Sequence, residues 1–332
     1  MGGGVEAPQK TGMEALQALV ADRLDAMIGE LRRIIVSDFD RIEEVNDYLA
    51  MLRGKLFRPT LTFLANEVGS ERDDRAVPLA SVVELVHLAT LVHDDTIDQS
   101  ELRRGQPTVN ALWSHQMAVL MGDYLYSRAI MQLAEVGSIE AVGVMANAAN
   151  QMSVGEIRQI SSYDALDFTE RDYDLLIAAK TASLMSAACR VGALVGAPRF
   201  EEPLGRFGHA LGMAFQIADD LLDYTASAEQ TGKPVGHDLR QHKVTLPLVH
   251  ALERMSPAES QVVQAFFETP EPSDEAIAEV VGIVEGNGGL AYAKSRADGF
   301  ADEAYAALRE VAEGPARDAL WASVAYATQR TR

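Results

Sequence analysis

A single cysteine, Cys189, stands in 332 residues, which excludes an internal disulfide framework and fits a reducing compartment. Aromatic residues are scarce at 6%, and no sustained Val/Ile/Thr/Tyr alternation is bounded by Asn-Gly or Asp-Gly turns, so hairpins lack their usual signals. Uninterrupted apolar runs of about 18 residues are also missing. The opening Met-Gly-Gly-Gly-Val-Glu-Ala-Pro has neither the basic nor the apolar region of a signal peptide. These absences predict a soluble, cytoplasmic protein with residues 1–12 mobile. Positive charge is in deficit, with 29 Lys and Arg against 49 Asp and Glu and a net charge of −20. That argues against nucleic-acid partners, though not against anionic substrates met by local cations or metal. A P-loop is excluded as well, because its spacing fails both at Gly54-Lys55 and at Gly232-Lys233.

What remains is 48% hydrophobic and rich in Ala, Leu, Val and Met, enough for a large helical core. No stretch reads as an interdomain linker, so residues 13–332 are expected to form one all-α domain. Apolar residues at steps of three and four predict a helix from Met13 with a second, short one after Ser37. Pro59 sits in the first turn of another, and Thr108 is placed to cap a long helix running to about Val136. Further helices are predicted over about 138–162, 169–195 and 200–224, and Ser256 and Ser273 read as caps of later ones.

The chemistry concentrates at the ends of two apolar helices. Asp94, Asp95 and Asp98 close the run that begins near Glu84, and Asp219, Asp220 and Asp223 repeat the i, i+1, i+4 pattern further along. Residues i and i+4 share one helix face, where two carboxylates repel unless a cation lies between them. Oxygen-only ligands suit a hard ion such as Mg²⁺. One copy fits a solvated helix end equally well, whereas two copies suggest a cavity holding several divalent ions and an anionic ligand. Lys55 and Arg58 flank a helix start, a place suited to phosphate and also to ordinary surface charge. Glu156, Gln159, Lys180 and Thr181 read singly as satisfied polar groups on helix faces. The Gly- and Pro-rich stretch from Thr231 to Pro247, with Lys233 and Lys243, reads as a functional loop or lid.

With Asp94-Asp95-x-x-Asp98, the Arg103-Arg104-Gly105 that follows, and Asp219-Asp220-x-x-Asp223, the chain resembles the trans-isoprenyl diphosphate synthases, the polyprenyl synthetase family. The likeness runs from Gly54 to Pro247 with flanking helices. It implies an isoprenoid-synthase-type helical bundle around a deep cavity, working as a homodimer. It also implies Mg²⁺, three ions per site with substrate bound, on Asp94, Asp95, Asp98, Asp219, Asp220 and Asp223. Isopentenyl diphosphate would be gripped by Lys55, Arg58, His87 and Arg104. The allylic diphosphate would meet Arg103, Lys180, Thr181, Gln216, Lys233 and Lys243, with Arg103 and Lys180 assisting catalysis beside the aspartates. The family's loop often reads Gly-Gly-Lys-Arg-x-Arg-Pro, and this chain departs from it at Arg53 and Leu56.

In the family, bulky aromatics one turn before the first motif stop the growing chain early. Ala89 and Thr90 stand there instead, followed by Val86, Val83 and Val82, so a product beyond C20 is expected. A floor near Tyr126, Ile130 or Met131 is the other possibility. Such a product implies at most transient membrane contact. The alternatives are a short-chain farnesyl or geranylgeranyl diphosphate synthase, a class I terpene cyclase, which would leave Lys55, Arg58, His87 and Arg104 without purpose, and a non-catalytic subunit, which has no need of six matching aspartates.

Overall fold

The computed structural model describes residues 12–52, 54–69, 72–161, 165–225 and 236–328. Lys233 and Arg53 lie outside the described residues. Helices dominate as expected: α1 (Met13–Gln17), α2 (Ala21–Ile35), α3 (Asp40–Met51), α4 (Phe57–Glu67), α5 (Ala76–Ile97), α6 (Val109–Leu112), α7 (His115–Val136), α8 (Ile139–Ser161), α9 (Glu170–Ile177), α10 (Ser183–Gly196) and α11 (Glu201–Thr225). Shorter and longer helices continue to Thr328. Two compact units are formed, the first by Met1–Met145, Ala188–Glu201 and Ala312–Ser323, the second by Ala146–Ala187, Glu202–Val311 and Val324–Arg332.

In the first unit α5 is central, packed by α2, α4, α6 and α7. Its N-terminal half is buried on every side, from Leu79 through Val86, which is what an apolar run without a polar stripe requires. In the second unit Tyr173, Ile177, Met213, Ile217, Leu221 and Leu246 share a core with Ala293 and Ala297 of the helix Gly289–Leu308. A neighbouring core gathers Tyr224, Leu239, Leu248, Val263, Phe266, Val280 and Val284.

Several boundaries differ from the sequence reading, each for a local reason. Thr108 caps only the four-residue α6, its Oγ1 accepting from Ala111 N at 3.4 Å. The long helix α7 restarts after extended Ser114, whose hydroxyl accepts from Met117 N at 3.1 Å. The turn read at Arg103-Arg104-Gly105 is a small hairpin, with Leu102 opposite Pro107 and Arg103 opposite Gln106. Its two corner residues, Arg104 and Gly105, have φ of 52° and 74°, the paired left-handed geometry that tight hairpins use. Between α9 and α10 the backbone widens into a π turn over Ala178–Ala182, carrying Lys180 and Thr181. Ser256 and Ser273 cap their helices as read, the first in a full capping box with Glu259. Two stretches, Ala76–Ile97 and Glu170–Gly196, are long and apolar enough by composition to cross a bilayer, and both are mostly buried in protein.

Candidate active site

Along α5, Glu84, His87, Asp94 and Asp95 follow one another, and Asp98 is the helix's C-terminal cap. Asp94 is half-buried and Asp98 exposed, while Asp95, turned about 100° round the cylinder, is buried. Arg103 Nε donates to Asp95 Oδ2 at 2.7 Å, so the hairpin's first arginine neutralises the inward carboxylate. His93 is drawn towards α7, its Nε2 lying 3.1 Å from Val119 O. That approach requires Gly122, where a Cβ would lie 2.1 Å from the ring nitrogen.

A cationic cluster surrounds the middle of α5. Arg58, in the first turn of α4, places Nη1 3.1 Å from His87 Nε2. Arginine can only donate, so Nε2 accepts, the ring proton sits on Nδ1, and His87 is neutral. Burial, and then Arg58, Arg103 and Arg104, hold its pKa well below the ordinary imidazole value. Glu84 is buried close by; burial raises its carboxyl, and Arg58 and Arg104 oppose that rise. Arg58 Nε is itself buried and lacks an acceptor. A buried orphan donor in a group of three arginines is an opening for an oxyanion. Gly54 leaves room for Arg104, since a Cβ there would approach Arg104 Nη1 to 3.0 Å. Lys55 is exposed, and its carbonyl is held by Gln17 Nε2 at 2.8 Å. Leu56, one of the departures from the family loop, adopts φ 54°, a left-handed conformation uncommon for a residue with a side chain.

In the second unit Asp219 is exposed and Asp220 buried, repeating the arrangement of Asp94 and Asp95. Tyr173 OH donates to Asp220 Oδ2 at 2.5 Å and Gln216 Nε2 to Oδ1 at 2.8 Å. Thr181 Oγ1 in turn donates to Gln216 Oε1 at 2.8 Å. Burial lifts Asp220 to about 8, Asp238 adds to the rise, and the hydrogen bonds from Tyr173 and Gln216 oppose it. Asp223 is otherwise engaged: Oδ1 accepts from His237 N at 3.1 Å and Oδ2 from Asp238 N at 2.9 Å, capping the helix His237–Arg240. Lys180 Nζ donates to Gln159 Oε1 at 2.8 Å and pairs with Glu156. A Cβ at Gly155 would lie 2.8 Å from Ala179 Cβ and 3.3 Å from Lys180 Cγ, so the glycine admits the π turn. Lys243 lies after that helix, beside half-buried Asp238, whose carboxyl it pulls down against burial and Asp223.

The donor chemistry fits a hard divalent ion. No group of three or more carboxylate, imidazole or thiolate residues among the described residues closes a metal cage by itself. Mg²⁺ is ordinarily held by one or two carboxylates together with substrate phosphates and water; outward-facing Asp94 and Asp98 offer two in the first unit, and exposed Asp219 offers one in the second. Of the residues expected to govern product length, Ala89 is 2% exposed, and Thr90 is half-buried with Oγ1 donating to His87 O at 2.8 Å. Val82, Val83 and Val86 are buried, Tyr126 is half-buried, and Ile130 and Met131 are 51% and 54% exposed.

Sequence reasoning passed over Glu84, Gln17, Tyr173 and Asp238. A charged residue inside the apolar run Val82–Val86 was a usable signal for Glu84, whereas the π turn at Ala178–Ala182 breaks the helical spacing between Tyr173 and Lys180. Gln17 and Asp238 carried no such mark.

The polyprenyl synthetase family model matches residues 39–284. The octaprenyl diphosphate synthase of Escherichia coli is 35% identical over 322 residues, covering 96% of this chain and 99% of that protein. Heptaprenyl diphosphate synthase component 2 of Geobacillus stearothermophilus is 38% identical over 299 residues, covering 88% and 91%. Among solved structures, a Caulobacter crescentus polyprenyl synthase complexed with calcium and isoprenyl diphosphate superposes with a TM-score of 0.90 at 33% identity, covering 98% of this chain and all of that one.

Proposed function

The chain belongs to the polyprenyl synthetase family and is a trans-prenyltransferase of the medium- to long-chain kind, and from that premise we propose how its residues divide the work. Such enzymes join isopentenyl diphosphate to an allylic diphosphate and depend on a divalent metal. The ion proposed here is Mg²⁺, three per site with both substrates bound, held by Asp94, Asp98 and Asp219, with Asp95, Asp220 and Asp223 supporting them from behind. When bound, it neutralises charge collecting on the departing diphosphate.

Arg58, Lys55, Arg104 and the Nδ1–H of neutral His87 hold isopentenyl diphosphate by its phosphates. Lys180, Lys243, Lys233 and Arg103 hold the allylic diphosphate, with Gln216 and Thr181 orienting its seat. Ionisation of that substrate gives an allylic cation. The double bond of isopentenyl diphosphate attacks it, and a proton lost from the adduct passes to the departing diphosphate. Half-buried Thr90 borders the path proposed for the product, with small, buried Ala89 beside it. The orphaned Nε of Arg58 beside His87 carries this reading, because a buried guanidinium with a free donor calls for an anion.

A single catalytic domain, a homodimer and a cytoplasmic setting complete the proposal. The homodimer is supported by exposed Leu120, Met131, Val119 and Ile130, which form one stripe along α7. Incubation of the purified protein with Mg²⁺, labelled isopentenyl diphosphate and a set of allylic primers, followed by product sizing, tests the whole. Products of C30 to C50 are expected. Failure to consume isopentenyl diphosphate refutes the assignment of the cationic cluster.

A further inference from the structure

We propose that Tyr173 is a positioning residue for the second acidic motif, holding Asp220 so that Asp219 keeps its outward aim. The inference rests on the metal role given above to Asp219. Tyr173 touches no reacting atom in that scheme, and nothing in the acidic motifs themselves points to it.

The phenol is 2% exposed and lies within the core made by Ile177, Met213, Ile217 and Leu221. Its hydroxyl meets Asp220 Oδ2 at 2.5 Å, the short range of an O–H donor on a carboxylate. Asp220 is 6% exposed, and its remaining oxygen is taken by Gln216 at 2.8 Å. Both carboxylate oxygens are therefore fixed by donors from two helices, and the next residue back, exposed Asp219, inherits the register. The π turn that follows α9 is tied to α11 as well, by Thr181 Oγ1 donating to Gln216 Oε1 at 2.8 Å. Two ties on one face hold α11 in rotation as well as in position. Loss of the phenol oxygen leaves a buried carboxylate with one donor fewer, and the simplest relief is for the end of α11 to turn Asp220 towards water. That rotation carries Asp219 away from its aim.

Outer residues that orient metal ligands are worth about 10- to 100-fold in metal affinity or activity. Tyr173→Phe keeps the ring in its core and removes one oxygen. The Mg²⁺ concentration for half-maximal prenyl transfer is expected to rise at least about 10-fold, with the KM for isopentenyl diphosphate unchanged. A second readout needs no turnover: the rise in melting temperature produced by Mg²⁺ with inorganic diphosphate should shrink in Tyr173→Phe. The rise produced by isopentenyl diphosphate without metal should stay as in the parent.

An unchanged Mg²⁺ requirement, or a KM for isopentenyl diphosphate that moves in step with it, overturns the proposal. If Tyr173→Phe alone does not fold, the comparison moves to the Asp220→Asn background, which replaces the buried carboxyl with an amide. There Tyr173→Phe should add nothing to the Mg²⁺ shift, and a further independent shift overturns the proposal. A parent protein with no metal-dependent transfer at all refutes instead the underlying functional reading.

Discussion

Acidification should destabilise the ligand-free protein through His87, by an amount the Arg58 contact sets. Because Arg58 Nη1 donates to Nε2 at 3.1 Å, a proton can be added to that nitrogen only by breaking the contact and placing a second positive charge among arginines. The folded imidazole therefore stays neutral, well below its ordinary value, while the unfolded one charges near pH 6.5. Below that pH the unfolded chain binds one proton more than the folded chain, so stability is lost as pH falls. One proton is worth about 1.4 kcal/mol per pH unit, so between pH 7.5 and pH 5.5 this residue alone should cost about 1.4 kcal/mol. Urea unfolding followed by the fluorescence of Trp113 and Trp321, on the parent and on His87→Gln at both pH values, measures it. Glutamine accepts from Arg58 and cannot titrate, so the parent should lose about 1.4 kcal/mol more than the variant. His209 and His250 are also held low, chiefly by burial, but they are common to both proteins and cancel. Equal pH dependence in the two proteins, or imidazole resonances showing both ring nitrogens of His87 protonated at pH 6, refutes the argument.

Thr90→Phe should shorten the product by about one isoprene unit, since one helical turn is close to the length of a unit. Ala89→Phe should shorten it too, at a cost of about 1–3 kcal/mol because Ala89 is already packed at 2% exposure. Chromatography of the products and thermal melts separate the two outcomes, and an unaltered product from both variants removes Ala89 and Thr90 as length determinants. Arg103→Ala strips buried Asp95 of its 2.7 Å donor and should cost about 1–2 kcal/mol, toward the low side because Arg103 is 32% exposed. Arg103→Lys should recover little, having no Nε to place there; calorimetric unfolding of the pair decides. Charged residues at Leu120 and Met131 together should turn a sedimenting dimer into monomer, and a variant that stays dimeric moves the interface elsewhere.

Much of the molecule was legible without coordinates because its signals are local. Apolar spacing at three and four residues and Ser/Thr caps mark where helices run, and both act within one or two turns. The two acidic triplets and the cations near Lys55 and Arg104 could be listed for the same reason. Thr108 misled, because a cap says where a helix begins but not that Ser114 will start another after it. The hairpin at Arg104-Gly105 was hidden by its brevity, since two-residue strands leave no alternation to read.

The sequence by itself determined the helical class, the placement of acids at helix ends and the residue types available to a phosphate. Only tertiary structure decided which carboxylate of each triplet faces inward, since that depends on a donor arriving from elsewhere in the chain: Arg103 for Asp95, Tyr173 and Gln216 for Asp220. It decided likewise that Asp223 caps a helix and that His87 is neutral beside Arg58. Charge state and aim depend on neighbours in space, and a linear pattern specifies neighbours only along the chain.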